Sequence, residues 1–507
     1  MKSYCAAADT LLLLAALPAF LGCPPETTSY ALTVSVTGEG AVVASPPGGT
    51  YAAGTTVTLT ALPAEGWEFD GWSGDLTGIA RSETIVMNSD KSLQASFVEE
   101  DWQPDQFAFD VDVAPGTVMV PEANLGLLLA SDPETGHFEF DTAGAQAAGI
   151  TFAAGAPLVV HGVAIRRITD VSHTDGRVLV ETEPIALNEV IPSGSFAWDY
   201  GVEFTEEKVR ALIVPGYGAV PVKDGAPIEF ELEVGEYTYG IKATLDGVYA
   251  TFEFTVSKDL TGSAGAKFVA RGEIRRFRSR ENLAFGGGEL QEFGHELTGM
   301  RGEATLELVV AASGSDAVDF KLPVPVFEVP FAVGFVPVVL KVKAQFVVNA
   351  SVPVDGSARV RARFTYDSDL GFAYDGADVH TGGSLGGLTL GDELHETGAS
   401  SAIDANFGVG FPRVELNIAG GTVVPWAQTA FLVGGTYTFH PACQTADALF
   451  LGAAGFDLTV LDWNLFSGSR TFFSESIPLL RAGDCPDKGD CADTQDTLSA
   501  LTARPLE

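Results

Sequence analysis

Apolar and polar residues alternate with a period of two along most of the chain, the pattern of strands with one buried face and one wetted face. Ile228-Glu229-Phe230-Glu231-Leu232-Glu233-Val234 is the clearest case, with four apolar side chains on one side and three glutamates on the other. The same alternation over 251–256, 304–310 and 359–364 predicts antiparallel sheet with one face in water. Further strands are expected over 158–162, 165–171 and 177–183, and shorter ones over 32–36, 57–61, 84–87 and 93–97. Gly38, Gly40, Gly48, Gly49 and Gly54 mark turns among the short ones. Only 205–212 carries a helix signal, with Thr205 as cap, Glu206 and Glu207 in the first turn, and Pro215 beyond its end. The fold class expected is all-β.

The first thirty or so residues depart from this pattern. Lys2 is followed by a short apolar run over 11–21, which closes in Phe20-Leu21-Gly22-Cys23. This stretch resembles a signal peptide ending in the lipobox of bacterial lipoproteins, although Phe20 stands where leucine is usual and Asp9 interrupts the leading region. The resemblance implies residues 1–22 as signal peptide, lipid attachment at Cys23, and a membrane reached through that N-terminal lipid. The other reading is an ordinary cleavable signal in which Cys23 is incidental. Pro24, rather than aspartate, resembles lipoproteins sent to the outer membrane if the cell is Gram-negative. The expected location is therefore the cell envelope, exported, at the outer membrane or cell surface. The apolar run is too short to span a bilayer as a helix. The next candidate, 322–340, contains Pro323, Pro325, Pro330, Pro337 and Glu328, which argue against a helix of any kind.

Residues 23–29 read as a lipidated tether, and 30–98 as a compact module. The module carries Gly48-Gly49-Thr50-Tyr51, then Gly66-Trp67-Glu68-Phe69-Asp70-Gly71-Trp72-Ser73-Gly74, then Met87-Asn88-Ser89-Asp90-Lys91-Ser92. These motifs, in this order, resemble the divergent InlB-type B-repeat. The resemblance implies a β-grasp-like module of secreted and wall-associated proteins, often used as a spacer. Trp67 and Trp72 could contact a glycan, because aromatic faces stack on sugars, or they could form the core of a domain too small to be held otherwise.

Acidic 99–106, with one proline, reads as a linker. A small β module is expected over 107–197, a large β-sandwich or curved-sheet domain over 198–484, and a polar tail over 485–507. Within the small module, Ile165-Arg166-Arg167-Ile168-Thr169 and the Thr182-Glu183-Pro184-Ile185-Ala186-Leu187 stretch are similar to a short β module of uncharacterised secreted bacterial proteins, which implies no activity.

Charge narrows the partners. The 67 acidic and 29 basic residues leave a formal net charge of -38, which repels nucleic acid. Hydrophobic residues at 46% are nevertheless enough to fold the chain. Five cysteines are present. Export would remove Cys5 and commit Cys23 to lipid, so one disulfide is expected among the rest, Cys443 with Cys485 or alternatively Cys485 with Cys491.

Catalytic signals are thin, and no catalytic residue is assigned. Gly382-Gly383-Ser384-Leu385-Gly386 fits the Gly-x-Ser-x-Gly elbow formally, but Gly387-Leu388-Thr389-Leu390-Gly391 after it is a poor helix. His295-Glu296 lacks the second histidine of a zinc-protease helix, and His380 and His395 flank the glycine-rich stretch without ligand spacing. No cofactor is expected beyond a weak case for calcium at Asp484, Asp487, Asp490, Asp493 and Asp496. Arg271, Arg275, Arg276, Arg278 and Arg280 concentrate positive charge and are expected to face carboxylates on neighbouring strands, or else an anionic ligand. The function expected is a non-enzymatic surface lipoprotein that binds or scaffolds a glycan or an envelope protein. A secreted hydrolase and a carrier of lipid or another hydrophobic ligand are the alternatives.

Overall fold

The computed structural model describes residues 28–133, 135–214, 218–223, 225–259, 265–311, 316–320, 326–352, 357–390, 403–419, 424–439, 442–457 and 467–483. The chain is all-β and divides into two compact units: one runs to Thr77 and includes Arg81–Glu99, the other holds Gly78–Ala80 and everything from Glu100 on.

The first unit contains two small sheets. Strands Thr50–Ala52, Ser29–Thr37, Lys91–Glu99 and Trp67–Gly74 lie in that order, and the two central strands run parallel. A parallel central pair formed by the first and last strands is what a β-grasp-like module implies. Here the second layer is a three-stranded sheet of Gly40–Ser45, Thr56–Pro63 and Ser82–Val86, and the described residues of this unit contain no helix. Alternation explains the packing: Val57, Leu59 and Ala61 point inward from one strand, and Leu93, Ala95 and Phe97 from another. Phe69 packs its ring against Trp72 at 5.1 Å and against Phe97 at 5.6 Å. Gly38 has φ of +79°, and a Cβ there would lie 2.1 Å from the main-chain oxygen of Phe97, so the turn requires glycine.

The second unit holds three sheets. Strands Leu128–Asp132, His137–Asp141, Arg177–Pro184, Ala164–Thr174, Pro157–Val160 and Val118–Val120 form a six-stranded sheet with its own core around Phe138, Phe140, Leu158 and Val180. The helix Thr142–Ala147 follows one of these strands, and the Asp141 carboxylate accepts the Gly144 N–H at 2.6 Å as its cap. The boundary expected at 197/198 falls inside the strand Ser193–Val202. That strand pairs with Gln106–Asp112 on one side and Phe277–Gly286 on the other, so both flanks of the six-stranded sheet are built into the ten-stranded one.

The ten-stranded sheet is organised on a long hairpin. Gly265–Arg275 and Phe277–Gly286 both pair antiparallel with Glu289–Ala311, one along its second half and the other along its first. Their outer neighbours differ: Gly265–Arg275 takes Tyr249–Asp259, and Phe277–Gly286 takes Ser193–Val202. The sheet therefore forks at Arg276, whose N–H reaches the Val248 carbonyl at 2.7 Å. Ser357–Tyr374 covers the far edge of Glu289–Ala311 and pairs in turn with Val379–Leu390.

A nine-stranded sheet, running from Gly218–Val220 through Val326–Val333, Val336–Val352 and Ile403–Ile418 to Ser467–Gly483, supplies the opposing layer. Val329, Val336, Leu340, Val414 and Leu416 from this sheet share one core with Phe196, Phe254, Phe268 and Phe364 of the other. Phe331 stacks on Tyr200 at 4.1 Å and meets Trp198 edge-on at 5.6 Å, which locks the layers face to face. Among the described residues the interior is packed with apolar side chains.

One expectation needs correction. Residues 205–212 do not form a helix: Thr205 caps a single turn, with its carbonyl accepting the Val209 N–H at 2.8 Å, and Ala211–Val214 then joins the nine-stranded sheet. Burying Val209, Ala211 and Leu212 in that sheet outweighs the local helix preference. Residues in the stretch expected as a linker, 99–106, make defined contacts within the second unit. Glu100 pairs with Arg276 at 2.6 Å, the Gln103 carbonyl accepts from Arg278 at 2.7 Å, and Asp105 accepts the Gly201 N–H at 2.7 Å. The Trp102 ring lies 4.1 Å from the Arg276 guanidinium carbon.

The first unit has a complete core, so residues 28–99 produced alone should unfold cooperatively in urea. Leu59→Ala should cost about 2–5 kcal/mol, because Leu59 is 0% exposed. Val43→Thr, at an outward position, should change stability by less than about 0.5 kcal/mol. Similar midpoints for the two variants would mean that the core is not where these residues place it.

Candidate functional site: an outer groove above a buried acid–base pair

Five strands lie side by side at the first half of Glu289–Ala311, and register decides what each face presents. On the outer face, Ala197, Asn282, Gly294, Ala373 and His380 form one row, and Asp199, Arg280, Glu296, Gly371 and Gly382 the next. Glycines at 294, 371 and 382 remove side chains from the middle of these rows. The result is a groove of about 560 Å³ whose walls carry Arg280, Asn282, Glu296, Asp369 and His380. One of the glycines is required by close approach: a Cβ at Gly371 would lie 2.7 Å from the His295 main-chain oxygen.

The charged walls are paired within themselves. Arg280 Nε donates to Asp199 at 3.0 Å, and its Nη1 lies 3.8 Å from Glu296. Burial pushes the Asp199 carboxyl up, but hydrogen bonds from Arg278 and Arg280 outweigh it and hold the group below the usual carboxylate range. Asp369 accepts the Gly299 N–H at 2.8 Å. His380 Nε2 lies 3.0 Å from Asp375, whose carboxyl is pulled down to about 2 by the Asp378 N–H, by His380 and by the Ala377 N–H.

Directly beneath, on the inner face, the row reads Trp198, Glu281, His295, Phe372. His295 Nδ1 and Glu281 Oε1 are 2.5 Å apart with both side chains fully buried. Ser279 Oγ donates to the same carboxylate oxygen at 3.3 Å and accepts from Trp198 Nε1 at 3.4 Å. Glu281 Oε2 and His295 Nε2 are buried without a hydrogen-bond partner. Burial pushes the Glu281 carboxyl up to about 7. A carboxylate bonded to Nδ1 orients an imidazole as a base, but that role needs a nucleophile or water at Nε2. Among the described residues no side chain reaches Nε2 with a hydrogen bond, and the surrounding core is apolar.

The residues singled out from the sequence fall as follows. Trp72 is 5% exposed within the module core, which leaves it no face for a sugar, while half-buried Trp67 packs at the margin of the same core. Ser384 lies inside Val379–Leu390, paired with Asp369, which is continuous strand rather than a strand–turn–helix elbow. The arginines face carboxylates: Arg271 meets Glu253 at 2.5 Å, Arg276 meets Glu100 and Glu203, Arg278 and Arg280 share Asp199, and Arg275 is buried enough to lower its pKa to about 10. Cys23, Cys485, Cys491, His395 and the tail aspartates lie outside the described residues, as does the side chain of Cys443. Glu281 was missed. Its signal was parity: in Phe277–Gly286 the odd positions turn inward, and a glutamate stands there between Ser279 and Leu283.

Comparison with known proteins addresses the other unit. Residues 30–101 match the family model of the divergent InlB B-repeat domain. Such repeat domains are typical of surface or extracellular bacterial proteins. No curated protein and no solved structure matches the chain. The repeat domain accounts for the first unit, whereas the groove lies wholly in the second, and its chemistry has to be read from its own residues.

The raised Glu281 pKa has a definite sign. Between the ordinary value of 4.5 and about 7, the folded state keeps a proton that the unfolded chain has released. Stability should therefore fall as pH rises through that window. Glu281→Gln should flatten the dependence while keeping an acceptor for His295. His295→Ala should cost on the order of 3 kcal/mol by orphaning the carboxylate. Urea titrations at about pH 5 and about pH 8 read the difference, and equal pH slopes in wild type and E281Q would refute the assignment.

Proposed function

We propose that this is a lipid-anchored surface protein of a bacterial envelope, in which the repeat domain acts as a spacer and the β body binds an extracellular or envelope ligand. The observation that carries it is the order along the chain: a signal-like segment closing in Leu21-Gly22-Cys23, then a divergent InlB B-repeat domain, then a body with a polar groove on its outer face. Acylation of Cys23 would make that residue the N-terminus and put all that follows outside the cytoplasm. The strong net negative charge suits such a setting, since it keeps a densely presented protein soluble and away from anionic lipid. The paired walls of the groove support a binding role more than a hydrolytic one, because no nucleophile is seated against a base among the described residues.

Expression in a bacterial host with a clickable palmitate analogue tests the anchor. Wild type should be labelled and sediment with membranes, and Cys23→Ser should lose both properties. An unlabelled wild type in the soluble fraction would sink the anchor. Protease added to intact cells should cut the body, and digestion only after lysis would sink the surface location.

A further inference from the structure

We infer that the glycine-floored groove between Phe277–Gly286 and Val379–Leu390 is a binding site for an uncharged saccharide; this rests on the binding role proposed above and gives it a ligand class. Size is the first constraint. A depression of about 560 Å³ lies in the range of small-ligand pockets, roughly 300–1,000 Å³. Charge is the second. Arg280 is held by Asp199 and Glu296 and His380 by Asp375, so the basic wall groups are already engaged and leave no free positive charge for an anionic ligand. An anion would also face the carboxylates of Glu296 and Asp369. Among the described residues no group of three His, Cys, Asp or Glu side chains is placed to hold a metal ion.

What remains available is hydrogen bonding of both senses. Asn282 donates and accepts, Arg280 donates, and Glu296 accepts. A hydroxyl group is donor and acceptor at once, so a polyol can satisfy such a mixed wall where a purely donating or purely accepting ligand cannot. The floor supplies the complementary surface. Gly294, Gly371, Ala373 and Gly382 present main chain and one methyl group, flat enough for the C–H face of a sugar ring to lie on. At 371 that floor is fixed, because a side chain there is excluded by the His295 carbonyl. Preorganisation of this kind reduces the entropy lost on binding.

Gly382 provides the test. A Cβ there meets nothing within 4 Å, so Gly382→Ile can fill the groove without disturbing the fold. The full-length processed protein would be titrated calorimetrically with neutral gluco-, manno- and chito-oligosaccharides of about two to six units. Binding of at least one series is expected, weakened about tenfold or more by Gly382→Ile and by Asn282→Ala and unchanged by the distant Glu231→Gln; circular dichroism confirms that each variant is folded. No binding to any series overturns the saccharide assignment. Binding that Gly382→Ile and Asn282→Ala leave intact overturns the groove as its location. In either case a parallel pull-down of isolated envelope fractions separates the two claims. Retention on the envelope spares the general binding role, and its absence from every fraction removes that role as well.

Discussion

The body depends on one β-hairpin. The strand Glu289–Ala311 gives its whole length to pairing, and the segment opposite it serves two branches of the same sheet, one before Arg276 and one after. A fork in a sheet is a place where main-chain groups lose their regular partners, and buried N–H and C=O groups left unpaired are costly. Here the Arg276 N–H finds the Val248 carbonyl, and Phe204 bridges Gly247 across the gap. The guanidinium at the fork is 6% exposed and would be strongly destabilising without compensation. Glu100, Glu203 and the ring of Trp102 provide it, which explains why the acidic stretch after the repeat domain is bound to the body.

Both faces of the candidate site follow from that hairpin. Parity places Arg280, Asn282 and Glu296 outward and Glu281 and His295 inward, so the groove and the buried pair are opposite sides of the same few rungs. The pair replaces what would otherwise be two apolar side chains. Its cost is offset by a short mutual bond and by Ser279, and a one-residue slip of either strand would part the two groups.

Strand content was legible in the sequence because burial on one face leaves a period-two signature that survives any topology. The alternation at Ile228–Val234 and the three strands between 157 and 184 fall where the pattern places them. The repeat domain was legible for a different reason, since its glycine turns and aromatic cluster sit at fixed spacing. Pairing partners were not legible. Nothing local tells Phe277–Gly286 that it will border Ser193–Val202, some eighty residues earlier, because long-range pairing is decided by the fit of whole faces. The helix expected at 205–212 failed for the same reason, as Thr205 made a correct local cap for a turn that the sheet then cut short. The groove was invisible because it consists of absent side chains brought together from three strands: Gly294, Gly371 and Gly382 look like ordinary flexible glycines until register aligns them.

That alignment also limits how the groove can change. A pocket walled and floored by side chains can be reshaped by rotamer shifts or by trading one residue for another of similar size. A floor made of main chain has no rotamers, and every replacement at 294, 371 or 382 adds bulk. Variation in what the groove accepts must therefore come from its rim, at Asn282, Glu296, Asp369 and His380, while the floor behaves as a fixed gauge of depth against which any ligand is measured.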